Sequence, residues 1–103
     1  MARVALICPD LLFGSNVEGA LRAAGHDVTR HDDARGIDEP DVLVVDLNGT
    51  DAEPLPGVPS VGFYSHTDQD TRRRAEEAGF DVVVPRSRMA RETVGLVERA
   101  LDR

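Results

Sequence analysis

Four short runs of apolar residues constrain the fold of this chain more than any other feature of the sequence. They read VALIC, VLVV, VPSVGFY and VVV, and they lie at residues 4–8, 42–45, 58–64 and 82–84. Because the apolar residues are mostly consecutive rather than alternating, each run indicates a strand buried on both faces, as in a parallel sheet covered by helices. A weaker, alternating run, HDVTRH at 26–31, predicts an edge strand.

Three segments have the periodicity of amphipathic helices: 15–25, 69–78 and 88–101. In the first, Ser15 and Glu18 have the spacing of a capping box, which predicts that a helix begins there. The last places Ala90, Val94, Val97 and Leu101 on one stripe, at i, i+4, i+7 and i+11. We expect the helices at 15–25 and 88–101 to pack on one face of the sheet and the helix at 69–78 on the other.

The alternation of strands and helices predicts an α/β fold, a three-layer sandwich around an open parallel sheet with right-handed crossovers. Two links, 32–40 and 48–57, are too short or too rich in Pro and Gly for full helices. We expect at most one helical turn in each, so that the second and third helices of such a fold are abbreviated. The length of 103 residues predicts a single domain, 1–103.

Composition excludes several classes of function. The net charge of −7 argues against a general binder of nucleic acid and against binding to anionic membranes. The one cysteine, Cys8, cannot form an internal disulfide, so the chain fits a reducing cytoplasm. The opening apolar run is too short for a signal peptide or a membrane span. There is no Gly-rich nucleotide fingerprint and no clustered Cys/His spacing for a metal.

Ligands of open α/β sheets bind at the carboxyl ends of the strands, where the strand order reverses. With the flavodoxin-like order 2-1-3-4-5, that point lies between the first and third strands. The first strand is followed by Asp10 and the third ends at Asp46. We therefore expect these two carboxylates to lie side by side, where they could hold a cation such as Mg²⁺, which could in turn hold a phosphate.

The chain resembles a response-regulator receiver domain, of the CheY-like kind found in bacteria, over nearly its whole length. Residues 3–28 resemble the first strand, first helix and second strand of receivers without a gap. The stretch DVLVVDLNG, at 41–49, resembles the third strand, and Asp46 falls on the phosphate-accepting aspartate of the family. Residues 64–85 resemble the fourth strand, fourth helix and fifth strand. The resemblance implies signalling in a two-component system.

Two parts of the receiver motif differ in this sequence. Receivers have two adjacent acids after the first strand to bind Mg²⁺, whereas this chain has Cys8 and Pro9 there, and Asp10 comes one position later. A single pair of carboxylates, Asp10 and Asp46, holds Mg²⁺ less well than three acids. No cofactor is therefore certain.

The residues that contact phosphate in receivers differ as well. At the end of the fourth strand, where receivers carry Ser or Thr, the best spacing places Tyr64, with Ser65 beside it. Receivers then use Lys followed by Pro after the fifth strand, whereas this chain has Pro85 and Arg86 and no Lys anywhere. Tyr64, Ser65 and Arg86 are thus the candidate phosphate contacts. These losses remove the charge stabilisation on which phosphoryl transfer depends.

The sequence supports two functional hypotheses. The first is a stand-alone pseudo-receiver, a signalling module that binds other proteins through the 69–101 surface without depending on phosphate. The second is a phosphate-switched receiver that accepts a phosphoryl group on Asp46. Neither is an enzyme beyond gain and loss of that group. Because the chain ends at Arg103, we expect output through another protein or through a second copy of the chain. A small flavodoxin-like ligand binder is a remote alternative, because the short links leave little wall for a flavin pocket.

Three other residues allow functional and structural interpretations. Asp32 and Asp33 follow the second strand and could replace the missing acids, although a solvated turn is the usual role of such residues. Cys8 ends a strand just before a helix, but we expect a small buried apolar residue rather than a nucleophile.

Overall fold

The computed structural model describes residues 1–102, so Arg103, the last residue of the expected domain, lies outside the described part. The strands are β1 (Arg3–Ile7), β2 (Asp27–His31), β3 (Val42–Asp46), β4 (Ser60–Tyr64) and β5 (Val82–Pro85). The helices are α1 (Leu11–Ala23), α2 (Gln69–Ala78), α3 (Arg86–Arg91) and α4 (Thr93–Leu101).

The five strands form one parallel sheet in the order β2-β1-β3-β4-β5. This confirms the predicted order, including the edge position of the alternating strand β2. In the register between β1 and β3, Ile7 lies opposite Val45. The residues that follow these two positions, Cys8 and Asp46, therefore come together at the carboxyl edge of the sheet.

Alternate residues of each strand point to opposite faces of the sheet and form two separate apolar clusters. The first cluster contains strand residues such as Leu6, Val44 and Phe63, and it is covered by α1, α3 and α4. The second contains Ile7 and Val45 and is covered by α2 and by the links. The predicted distribution of helices between the two faces is confirmed.

Helix α1 begins four residues earlier than the capping-box pattern predicted. The helix starts at Leu11, because the side chain of Asp10 accepts a hydrogen bond from the backbone N–H of Phe13 at 3.0 Å and so caps the first turn. Ser15 lies inside the helix, and Glu18 instead contacts Arg22 and Arg30. The Ser15–Glu18 capping box was therefore a wrong prediction.

The segment 88–101 is also not one continuous helix. The chain breaks at Glu92, whose φ of −124° and ψ of 29° separate α3 from α4. At the break, the hydroxyl of Thr93 donates a hydrogen bond of 2.6 Å to the carbonyl oxygen of Met89. Met89, rather than the predicted Ala90, is the buried residue of α3. The prediction of a single stripe over 88–101 was therefore wrong, because the helical periodicity is interrupted at Glu92 and Ala90 is exposed.

The two links contain turns and no helix in the part of the chain that the structure describes, as expected from their Pro and Gly content. Apolar residues in and beside the second link pack half-buried against the second cluster in place of a helix: Leu47, Ala52, Leu55 and Val58. Among residues 1–102, no helix combines the length and the apolar character that a membrane crossing requires.

Replacement of Gly79 by Ala should destabilise the fold. Gly79 ends α2 in the left-handed conformation, with φ of 99° and ψ of 19°, which costs a residue with a Cβ roughly 1–2 kcal/mol. Gly95→Ala is the matched control, because Gly95 lies in α4 with open space around it and should gain roughly 0.5–1 kcal/mol. The free energy of unfolding in urea measures both. Equal effects of the two substitutions would contradict the assigned conformations.

Candidate functional site

Arg86 joins the two carboxylates that the sequence predicted to lie together. It is the first residue of α3, directly after β5, and its Nη2 donates to Oδ2 of Asp10 at 2.9 Å. Its Nη1 lies 3.3 Å from each carboxylate oxygen of Asp46. One guanidinium thus pairs with two acids from different elements, the cap of α1 and the end of β3. The bridge is a charge-assisted contact between parts of the chain far apart in sequence.

The Arg86 guanidinium also lies over two aromatic rings, those of Phe13 and Phe63. Its central carbon lies 4.3 Å from the centre of the Phe13 ring and 5.6 Å from that of Phe63. The two ring centres are 5.0 Å apart. Cations over aromatic faces are attracted by the ring quadrupole, and the rings also restrict where the guanidinium can move. Only 28% of the Arg86 side chain is exposed.

Asp46 is buried, with 3% of its side chain exposed. Its Oδ1 accepts hydrogen bonds from the backbone N–H groups of Asn48 and Gly49, each at 3.2 Å. Gly49 lies directly over the carboxylate: a Cβ at that position would be 2.8 Å from Oδ2. Asp46 is therefore both charge-paired and capped by the turn that follows it.

Cys8 lies beside the same carboxylate. Its Sγ is 3.8 Å from Oδ2 of Asp46, and 1% of the residue is exposed. Burial raises the pKa of the Cys8 thiol, and the negative charge of Asp46 raises it further. Cys8 is therefore a protonated thiol at neutral pH, as expected for a small buried residue rather than a nucleophile.

Asp10 is more exposed than Asp46, with 45% of its side chain accessible. The hydrogen bond from the backbone N–H of Phe13 lowers the pKa of Asp10, and the positive charge of Arg86 lowers it further. Asp10 thus has two roles: it caps α1 and it pairs with the guanidinium.

Tyr64 and Ser65, the other candidate phosphate contacts, lie next to this site but do not bond to Asp46 in the described part of the chain. Tyr64 is 4% exposed and ends β4 opposite Pro85. The backbone N–H of Ser65 donates to the side-chain oxygen of Asn48, and its hydroxyl lies 3.3 Å from that of Thr67. Whether these residues contact phosphate stays a prediction.

Asp32 and Asp33 form a turn after β2. Asp33 accepts a hydrogen bond from the backbone N–H of Arg35 at 2.9 Å and pairs with the Arg35 side chain at 2.9 Å. This contact lowers the pKa of Asp33. Asp32 is exposed. Asp33 thus has a structural role in the segment after β2.

Sequence reasoning missed two residues of the site, Phe13 and Asn48. The Asn48 side-chain nitrogen donates to Asp68, the cap of α2, at 2.8 Å, so Asn48 ties the turn after β3 to the start of α2. A dipeptide such as Asn48-Gly49 is typical of a turn, but it does not indicate a contact with Asp68. Phe13 lies in the first turn of α1, and no local pattern in the sequence indicated that its ring would contact a guanidinium.

The residues do not fit a divalent cation as they lie. Mg²⁺ prefers several oxygen ligands and water, whereas Asp10 and Asp46 already share a guanidinium between them. No group of three or more His, Cys, Asp or Glu side chains placed to hold a metal occurs among residues 1–102. Mg²⁺ at this site stays a prediction from the sequence.

No family model matches the chain, and no curated protein matches it in sequence. Solved structures, in contrast, match it well. NtrX from Brucella abortus in complex with ADP superposes with a TM-score of 0.84 at 19% identity, over 98% of this chain and 27% of NtrX. The chain therefore spans about a quarter of that protein.

Two isolated receiver domains match over nearly their whole length. The non-phosphorylated HemR receiver domain of Leptospira biflexa gives a TM-score of 0.75 at 18% identity, over 100% of this chain and 96% of that one. The receiver domain of Francisella response regulator 1452 gives 0.76 at 13% identity, over 99% and 98%. The chain is thus similar to receiver domains in fold.

The stabilising contribution of the Asp10 charge should depend on pH. Because the folded state lowers the Asp10 pKa below its ordinary 3.8, the charge stabilises the fold fully above that value, and the contribution is lost as pH falls through the lowered pKa. We expect wild type to be more stable than Asp10→Asn at pH 7 and the difference to shrink as the pH falls below 3.8. Urea unfolding from pH 7 to pH 3 measures it.

The control for this series is Asp38→Asn, which removes an exposed acid on the link after β2 and should give no comparable pH-dependent difference. Asn can still cap a helix, so Asp10→Asn tests the charge and not the cap. A gap between wild type and Asp10→Asn that stays constant down to pH 3 would contradict the role of this charge.

Replacement of Gly49 by Ala should disturb the Asp46 carboxylate. The new Cβ would lie 2.8 Å from Asp46 Oδ2 and 3.1 Å from Pro9 Cδ. Because Asp46 is held by Arg86, relief requires movement of the turn, at a cost of roughly 1–3 kcal/mol. Gly19→Ala, an α1 position with nothing within 4 Å, is the control. Chemical unfolding of both variants measures the effect, and a Gly49→Ala protein as stable as wild type would contradict the close contact.

Proposed function

We propose that this chain, which has the fold of a response-regulator receiver domain, is a signalling module that acts through protein contacts and does not depend on phosphorylation. The observation that carries the proposal is the ion pair between Arg86 and the buried Asp46. The acceptor position of the fold is already neutralised by the chain's own cation, and its carboxylate is enclosed.

Phosphoryl transfer to a carboxylate needs a free oxygen and an in-line approach to it. Both oxygens of Asp46 lie 3.3 Å from Arg86. Its Oδ1 also accepts the N–H groups of Asn48 and Gly49, and its Oδ2 faces Cys8 and Gly49. A donor would have to displace Arg86 or open the turn before it could reach the carboxylate. This arrangement favours the pseudo-receiver over the phosphate switch.

The partner surface that we propose is made of α2, β5, α3 and α4. Residues 69–101 carry seven Arg and six acids, whereas residues 1–68 carry four Arg and twelve acids. The charge is therefore strongly uneven along the chain, and the 69–101 surface is its least acidic part. Charge asymmetry of this kind steers association. A protein with an acidic face, or the acidic part of a second copy of the chain, fits this surface.

The alternative is a receiver switched by a phosphoryl group on Asp46, and one observation favours it. The guanidinium of Arg86 and the N–H groups of Asn48 and Gly49 converge on the same carboxylate, and donors of this kind also stabilise a phosphoryl group. In that case Arg86 would be the counter-charge, and Ser65 or Tyr64 would sense the phosphate. Gain and loss of this group is the only chemistry that we would assign to the site.

Intact mass spectrometry after incubation with acetyl phosphate and Mg²⁺ separates the two functions. We expect no phosphoryl adduct on the wild-type protein, because Asp46 is enclosed and paired. A receiver domain known to react with acetyl phosphate, treated in parallel, shows that the reagent is active. Circular dichroism of the same sample shows that the protein is folded.

Asp46→Asn is the variant that identifies the modified residue. An adduct on wild type that is absent from Asp46→Asn would overturn the proposal and establish the phosphate switch. An adduct on both proteins would place the modification elsewhere and leave Asp46 unmodified, as proposed.

A further inference from the structure

The position of Arg86 suggests what its positive charge replaces. Two carboxylates, Asp10 and Asp46, lie at the carboxyl edge of the sheet, where the receiver resemblance implies a bound divalent cation. In this chain the guanidinium occupies the space between them, with one nitrogen for each acid at 2.9 Å and 3.3 Å. The positive charge that compensates these two carboxylates is thus supplied by the Arg86 side chain.

The guanidinium is also held by groups other than the acids. Phe13 and Phe63 contact it on their ring faces at 4.3 Å and 5.6 Å. Arg86 is the first residue of α3 and follows Pro85. The ring of Pro85 limits the φ angle of that proline and so restricts the backbone directly before Arg86. These contacts restrict the Arg86 side chain. A cation bound to Asp10 and Asp46 would therefore lie within a few ångströms of the guanidinium, and two positive charges at that separation repel strongly.

We infer that Arg86 is an internal substitute for the divalent cation of this site, and that its removal uncovers a cation site formed by Asp10 and Asp46. The inference deepens the proposed function, on which it rests, since both concern the same ion pair. It accounts for two departures from the receiver pattern together: a pair of adjacent acids and a lysine are absent, and one arginine provides the positive charge in the place of the metal.

The geometry also indicates which metal ions such a site would take. With Arg86 shortened, the donors are two carboxylates, one of them 45% exposed, and water can complete the coordination. Hard oxygen donors suit Mg²⁺ and Mn²⁺.

Mn²⁺ binding to four proteins tests the inference. The proteins are wild type, Arg86→Gln, Arg86→Gln with Asp46→Asn, and Arg88→Gln. Arg88 is the matched control, because it lies on the same helix and pairs with Glu92 at 3.3 Å. Free Mn²⁺ is measured by electron paramagnetic resonance during titration with Mn²⁺ alone.

We expect Arg86→Gln to bind Mn²⁺ at least about tenfold more tightly than wild type, because a nearby positive charge has been removed. The double variant should lose this gain, and Arg88→Gln should behave as wild type. Two results would overturn the inference: folded Arg86→Gln binding Mn²⁺ no more tightly than wild type, or a gain in affinity that survives Asp46→Asn.

A second measurement does not depend on the folding of the variant. Backbone amide resonances of wild type are followed during titration with Mg²⁺ alone. We expect no saturable shift at Asp10, Asp46, Asn48 or Gly49, and such a shift would overturn the inference. The readouts are distinct from that of the proposed function: a phosphoryl adduct on wild type contradicts phosphate independence, whereas metal affinity reports on Arg86 as the substitute cation.

Discussion

The ion pair between Arg86 and Asp46 is the interaction on which the rest of the site depends. A buried carboxylate is costly unless it is paired and hydrogen-bonded, and Asp46 has 3% of its side chain exposed. Arg86 supplies the charge, and the turn after β3 supplies two N–H donors. Because the guanidinium also pairs with Asp10, one side chain connects β3, the start of α1 and the start of α3. Loss of Arg86 would leave two acids uncompensated.

The position of Asp10 at the start of α1 supports the same ion pair. As the cap of α1, Asp10 fixes the first helical turn, and this turn carries Phe13 onto the guanidinium. A helix that began at Ser15 would leave Phe13 in a loop, with no fixed ring to hold Arg86. Capping, aromatic stacking and charge pairing therefore support one another around a single guanidinium, which is the cooperativity expected of a partly buried polar network.

The two faces of the sheet are covered unequally. Three helices cover the face that contains Phe63, whereas α2 and the half-buried residues of the links cover the face that contains Val45. Asn48 compensates in part, because its side chain joins the turn after β3 to Asp68 at the start of α2 and to the backbone of Ser65. The functional surface that we propose, residues 69–101, extends from α2 to α4 and includes Arg86, so this surface and the ion pair share a residue.

The sequence by itself determined the strands, their order and the meeting of Asp10 with Asp46, because buried apolar runs and the carboxyl ends of parallel strands follow from local pattern and topology. It placed Arg86 near the site but did not show that the guanidinium reaches both acids. It also misplaced the start of α1 and missed the break at Glu92. Those features depend on contacts between residues distant in the chain: the pairing of Arg86 with Asp10 and Asp46, the stacking on Phe13 and Phe63, and the burial of Met89. Only the tertiary structure could decide them, since a local pattern does not show which charges and rings will share one space.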